Sequence, residues 1–296
     1  MRRSRSMLGF IAAIACLSAQ AQDRMPVPSV VERPLIDILP LPEYYRPDSV
    51  FFSVALPEGF QDASADTFID PRQTLYPLYE RLFLMRTQMP WDSLSILHIG
   101  DSHVRGHYFP QAMGAAMRID FGAVGYEDMG VNGATCLTFT HAQRIQAIRE
   151  HRPALLIVSF GTNEAHNRRY SSAAHYQQID ELIRLLREAC PDAPILLTTP
   201  PGAYERIRRN GRRVYTVNKR TEQAATTIRR YADEHGLACW DLYTLSGGSQ
   251  AAVNWWNSGL MRLDHIHFLE AGYRLQGESL YQALINGYNT YITTHP

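Results

Sequence analysis

The sequence predicts an α/β protein: one three-layer α/β/α domain built on a parallel sheet of about five strands. Three observations predict it. Short apolar runs alternate with longer segments of helical periodicity, and that alternation implies parallel pairing through helical crossovers. The runs are nearly unbroken, as in Ala-Leu-Leu-Ile-Val-Ser-Phe over 154–160, so the strands are covered on both faces. Residues that punctuate backbone structure close them, with Gly100 after 94–99, Gly161 after 154–160 and Pro200-Pro201 after 195–199.

Taken in order, an apolar stripe at helical spacing (Leu75, Leu78, Leu82, Met85) predicts a helix over 75–89 that Pro90 ends. A strand over 94–99 leads to a helix near 108–119. A strand or extended loop over 124–131 leads to a helix over 142–150. The strand 154–160 precedes a helix over 173–189 with Ile179, Leu182, Ile183 and Leu186 on one face. A strand over 195–199, a helix over 217–235, a strand over 237–242 and a last helix near 270–287 complete the set. Between them, residues 204–215 place Asn210-Gly211 among residues of strand character, a short-range hairpin signal. That hairpin carries Arg206, Arg208, Arg209, Arg212 and Arg213. It is either a solvated hairpin or a cationic flap that meets anionic substrate groups, Arg208 and Arg212 foremost.

A length of 296 residues with 45% hydrophobic and 20% charged content fits a globular chain, not a disordered one. Lys+Arg and Asp+Glu both number 29, so net charge gives no sign of nucleic acid or an anionic membrane as partner. Residues 1–21 have the form of a cleaved signal peptide: Arg2, Arg3 and Arg5, an apolar run over 7–17, then Ala19-Gln20-Ala21. The expected protein is exported, periplasmic or secreted, and monomeric, with Gln22 as its first mature residue. Lipid attachment at Cys16 is the rival reading. No other stretch is long and apolar enough to span a membrane. Residues 22–74, rich in Pro, form an extended arm before a catalytic domain over 75–296. Beyond Cys16 there remain Cys136, Cys190 and Cys239, an odd number. One bridge between Cys190 and Cys239 and a set of buried free thiols are both open, and no spacing suggests zinc.

Three polar groups follow the strand 94–99 at once: Asp101, Ser102 and His103. A serine at the carboxyl end of a sheet strand stands where open α/β sheets bind ligands. Its hydroxyl needs a base, and the base an orienting group. Leu263-Asp264-His265-Ile266-His267 supplies both before the last helix. The spacing of three lets Asp264 reach one imidazole nitrogen of His267 while the other faces Ser102; His265, beside Asp264, is the competing base. Oxyanion donors are expected from Asn163, in Gly161-Thr162-Asn163-Glu164, from Gly133 after the second strand, and from the N–H of Ser102.

These four blocks, Gly100-Asp101-Ser102-His103, Gly133, Gly161-Thr162-Asn163-Glu164 and Asp264-His265-Ile266-His267, resemble in order those of the SGNH (GDSL-type) hydrolase family. The resemblance covers 94–270. It implies a flavodoxin-like fold, a Ser102–His267–Asp264 triad, an oxyanion hole from Ser102, Gly133 and Asn163, and no metal or other cofactor. His103 stands where Leu is common and Glu164 where Asp is common. A GDSH block in an exported chain is similar to bacterial peptidoglycan and carbohydrate O-acetylesterases. The expected substrate is therefore an acylated carbohydrate or another small ester.

Other classes compete. Asp101 and His103, with Asp264, His265 and His267, match part of a metallophosphoesterase ligand set, but a bridging Asp box and an Asn-His pair are missing. Acyl transfer to a sugar hydroxyl shares the same acyl-enzyme. A carbohydrate-binding module would use Trp255 and Trp256 as a stacking platform. His103, Trp255 and Trp256 join Arg208 and Arg212 as candidate substrate contacts.

Overall fold

In the computed structural model the described residues are 49–61, 67–88 and 92–295. The segment expected to be a signal peptide (residues 1–21) and Cys16 lie outside them. The strands are β1 (Phe68–Ile69), β2 (Leu94–Gly100), β3 (Val124–Gly130), β4 (Leu155–Ser159), β5 (Ile195–Thr198), β6 (Tyr204–Arg209), β7 (Arg212–Val217) and β8 (Ala238–Trp240). Six form one sheet in the order β1-β8-β5-β4-β2-β3, while β6 and β7 pair separately as a hairpin. Five of the six run parallel, in the order β3-β2-β4-β5-β8. Counted along the chain that order is 2-1-3-4-5, the flavodoxin-like arrangement, whose ligands bind where the winding reverses, between β2 and β4.

The sheet gains one strand over the five expected. Phe68 and Ile69 pair antiparallel with Trp240 and Cys239 of β8. Two residues carry no periodicity, so only the tertiary partner makes them a strand. Other residues of the expected arm also dock on the domain. The Val50 N–H donates to Asn289 Oδ1 (3.0 Å), Asn289 Nδ2 donates to Val50 O (2.7 Å), and Gln61 N donates to Leu245 O (2.8 Å).

The helices are α1 (Tyr76–Thr87), α2 (Ser102–Arg105), α3 (Tyr108–Phe121), α4 (Ala142–His151), α5 (Thr162–His166), α6 (Ser172–Ala189), α7 (Lys219–His235), α8 (Leu242–Leu245), α9 (Ala251–Asn257) and α10 (Glu270–Thr294). Strand residues alternate between two cores, as the two-residue period requires. Ile96, Leu155, Ile157 and Leu196 pack with α1, α3 and α10, whereas Leu97, Leu156, Val158 and Leu197 pack with α4, α6 and α7. Helix α10 runs past the expected end at 287 because Tyr288 and Ile292 continue its buried stripe.

His98 sits wholly inside the sheet, its Nε2 2.7 Å from Ser159 Oγ and its Nδ1 3.0 Å from Tyr126 Oη. Burial pushes its pKa down to about 3, so the ring is neutral and acts as a hydrogen-bonding rung. Cys136, Cys190 and Cys239 are free and buried, so the bridge between Cys190 and Cys239 is not made. Among the described residues no helix is long and apolar enough to cross a membrane.

Candidate active site

Strand β2 ends at Gly100, and Ser102 opens helix α2 at the reversal point of the sheet. Asp101 caps that helix, its Oδ1 accepting the His103 N–H at 2.9 Å. Helix α2 lies almost in contact with the strand ends. A Cβ on Gly100 would run into the Val104 side chain of α2 and stand 2.7 Å from Ser159 O of β4, and one on Gly130 would stand 2.0 Å from Arg105 N of α2. Glycine at both places lets the helix lie flat across β2 and β3 and fixes where Ser102 points.

The segment between α9 and α10 is a clasp. Met261 and Phe268 form an antiparallel bridge, and Arg262 N donates to His267 O (2.7 Å). Phe268, fully buried, anchors it in the core. Inside the clasp Asp264 Oδ1 accepts the N–H groups of Ile266 and His267, each at 2.9 Å. Its Oδ2 faces His267 Nδ1 at 2.9 Å, and His267 Nε2 faces Ser102 Oγ at 2.9 Å. Partial burial pushes the Asp264 carboxyl up, but the hydrogen bonds from His267 and Ile266 outweigh it and hold the pKa below its ordinary value. Asp264 is thus held as the anion that keeps a proton on Nδ1 and leaves Nε2 to accept one.

Asn163 and Gly133 follow the ends of β4 and β3, on either side of Ser102's strand. Asn163 Nδ2 donates to Ala134 O at 2.8 Å, and a longer 3.4 Å contact joins it to Asp101 Oδ2. No backbone acceptor takes the N–H of Ser102 or of Gly133 among the described residues. Burial, opposed by the His103 N–H and assisted by Glu164, pushes the Asp101 carboxyl up to about 8.

The other candidates separate. His265 points away from Ser102: its ring is stacked between Tyr215 (3.9 Å between centroids) and Trp256 (4.0 Å). His103 is buried under the site, its Nδ1 3.1 Å from Tyr273 Oη and its ring 5.4 Å from that of His267. Burial, then the neighbouring His267, lowers its pKa to about 3. At 5% exposure it lies behind the His267 ring and not on an open surface, a correction to its placement among the candidate substrate contacts. Trp255 is a second correction. It is 1% exposed in the core, with Nε1 donating to Ser246 Oγ (2.9 Å), whereas Trp256 is 37% exposed. The two are consecutive on helix α9, and the rotation of about 100° per residue turns one into the core and the other toward solvent.

Sequence reasoning passed over Glu164 as a mere departure. It is buried, and it joins two loops: Oε1 accepts Cys136 N (2.9 Å) and Oε2 accepts Gly161 N (3.0 Å). The longer acid reaches from the Asn163 turn to the segment after Gly133. With Cys136 and His175 it makes the only group of three or more such ligand atoms within 4.8 Å of one another among the described residues. Both its oxygens already hold backbone N–H groups, and burial pushes the Cys136 thiol up, so the group acts as a brace. Asp101, His103, Asp264, His265 and His267, the partial metallophosphoesterase set, form no such group among the described residues. In Glu164→Gln an amide –NH2 would face one of the two donors. A thermal melt should show a fall of roughly 3–10 °C, the effect of one buried donor left unpaired in a domain of this size.

A three-layer α/β/α sheet of flavodoxin-like order with a serine at its reversal point is the arrangement of the SGNH hydrolases. The chain belongs to the GDSL-like lipase/acylhydrolase family, whose family model matches residues 87–275, and it is a carboxylic ester hydrolase. Two solved structures share its fold. A peptidoglycan O-acetylesterase superposes with a TM-score of 0.66 at 18% identity, over 76% of this chain and 99% of that one. A two-domain esterase active on acetylated mannans superposes with a TM-score of 0.55 at 15% identity, over 76% of this chain and 56% of that one. No curated protein matches the sequence.

Proposed function

We propose that the enzyme removes acetyl groups from O-acetylated carbohydrate, peptidoglycan being one such polymer, through a Ser102–His267–Asp264 triad. The observation that carries the reading is the unbroken pair of 2.9 Å contacts from Ser102 Oγ through the His267 ring to Asp264. In the first half-reaction Ser102 Oγ attacks the ester carbonyl as its proton passes to His267 Nε2. Asp264 stabilises the imidazolium that results. The oxyanion meets the N–H groups of Ser102 and Gly133 and the Asn163 amide. Asn163 turns toward it by giving up the long contact with Asp101 and keeping the one with Ala134. The sugar hydroxyl leaves with the proton from His267. Water, deprotonated by the same nitrogen, then releases acetate and restores Ser102.

The two solved relatives support the carbohydrate reading, since both bear names of esterases that act on acetylated glycans. The basic and apolar leader over 1–21 supports action outside the cytoplasm. The test is acetate release from O-acetylated peptidoglycan and from acetylated mannan, alongside p-nitrophenyl esters of acetate and decanoate, with and without EDTA. Acetate esters should be cleaved, decanoate poorly, and EDTA should change nothing. A phosphonofluoridate should label Ser102, read by peptide mass spectrometry. Labelling elsewhere, or loss of activity on chelation, would overturn the triad.

A further inference from the structure

The five arginines of the β6–β7 hairpin are sorted by its register. Arg206 pairs with Tyr215, Ile207 with Val214, Arg208 with Arg213, and Arg209 with Arg212. Side chains directly opposite share a face, and successive residues alternate. Arg206, Arg208 and Arg213 therefore lie on the face of Tyr204 and Tyr215, and Arg209 and Arg212 lie on the other. The first face is tied to the catalytic loop. Tyr204 N donates to His265 O (3.0 Å), and the Tyr215 ring stacks on His265, next to Asp264.

Two arginine pairs facing each other across a two-stranded ribbon oppose its folding, because like charges directly opposite repel. The one acid of the hairpin, Glu205, is held by Arg220 at 2.7 Å. Outside the backbone ladder, the guanidinium groups of Arg208, Arg209, Arg212 and Arg213 make no hydrogen bond or ion pair among the described residues. A chain of zero net charge thus gathers unneutralised cations on one projecting element beside its catalytic loop. A local rule broken without internal compensation points to function.

Resting on the esterase reading above, we propose that the hairpin face bearing Arg206, Arg208 and Arg213 docks a carboxylate-bearing glycan, so that the substrate is an acidic acetylated polysaccharide. A guanidinium fork matches a carboxylate with two parallel hydrogen bonds. At about 3.4 Å per residue, the cations stand roughly 7 Å (Arg206) to roughly 14 Å (Arg208) along the ribbon from Tyr204. They meet acid groups on sugar units beyond the one that carries the ester. Near the loop, the partly exposed rings of Tyr215 and Trp256 flank His265; the Arg206 guanidinium lies over the Tyr215 ring (6.0 Å), and Trp256 offers its exposed side to the C–H surface of a sugar. A glycan of neutral sugars would use the rings and leave the arginines idle.

The test compares two polymers, O-acetylated polygalacturonate and O-acetylated mannan, as a ratio of kcat/KM. Wild type should prefer the acidic polymer, and the preference should shrink between low salt and about 0.3 M NaCl. The variant R206Q/R208Q/R213Q should lower the acidic-to-neutral ratio about tenfold, through KM on the acidic polymer. R209Q/R212Q, on the far face, should lower it less. Equal losses on both polymers, or a preference insensitive to salt and to the triple variant, would overturn the proposal. Binding of de-acetylated polygalacturonate to Ser102→Ala, by calorimetry, reads docking without turnover; tight binding that survives the triple variant also overturns it. Failure of the esterase reading is a separate result, namely Ser102→Ala retaining turnover of p-nitrophenyl acetate.

Discussion

Ser102→Ala is expected to lower kcat on p-nitrophenyl acetate by about 10^4-fold or more, with an unchanged thermal melt. Among the described residues the hydroxyl is the one nucleophile within hydrogen-bond reach of His267 Nε2, and it is half-buried at a helix start where alanine fits equally well. His267→Ala should cost a similar factor, and the double variant little more than either, because the two groups act as a unit. His265→Ala should cost far less, since that ring is stacked between Tyr215 and Trp256 and does not reach Ser102. Steady-state rates on the four variants check all of this. A His265 variant as slow as the His267 variant would move the base to the wrong side of the loop.

Gly130→Ala is expected to be the most damaging small substitution in the sheet. Its Cβ would stand 2.0 Å from Arg105 N and 2.3 Å from Arg105 Cα. Both are backbone atoms, so no rotamer relieves the overlap, and helix α2 must lift off the strand ends. Overpacking of this kind costs about 3 kcal/mol or more, a fall in Tm of roughly 6–12 °C for a domain of this size. Because Ser102 opens the displaced helix, activity should fall further than stability alone explains. Gly125→Ala in the same strand is the control. Its Cβ would meet nothing closer than Leu94 O at 3.8 Å, so Tm should stay within about 2 °C. Equal melts for the two variants would show that α2 is not held by this contact.

The three core strands were legible because each is buried on both faces and therefore written in nearly unbroken apolar residues. The helix expected over 217–235 ends where the structure ends α7, at His235, but it starts two residues later, at Lys219, because Asn218 caps it. The blocks around Ser102, Asn163 and Asp264–His267 were legible for a related reason. Each is a short segment whose backbone turn needs small or capping residues, and each sits at a strand end or a helix start. Strand β1 was not legible, since Phe68 and Ile69 are extended only because β8 offers an unpaired edge. Glu164 was not legible as a brace, because its bond to Gly161 is a local one at the helix start whereas its other partner, Cys136, lies 28 positions away in another loop.

The sequence by itself determined the fold class and the chemistry available at the sheet's carboxyl edge. Period, burial and turn preference are properties of neighbouring residues. The tertiary structure alone decided the strand order that sets the reversal point beside Ser102. It also put Trp255 inside and Trp256 outside, turned His265 into the middle of a stack, and sorted the hairpin arginines onto two faces. Those outcomes depend on which distant surfaces meet, and the free energy of such meetings comes from packing and hydrogen bonds between segments far apart in the chain.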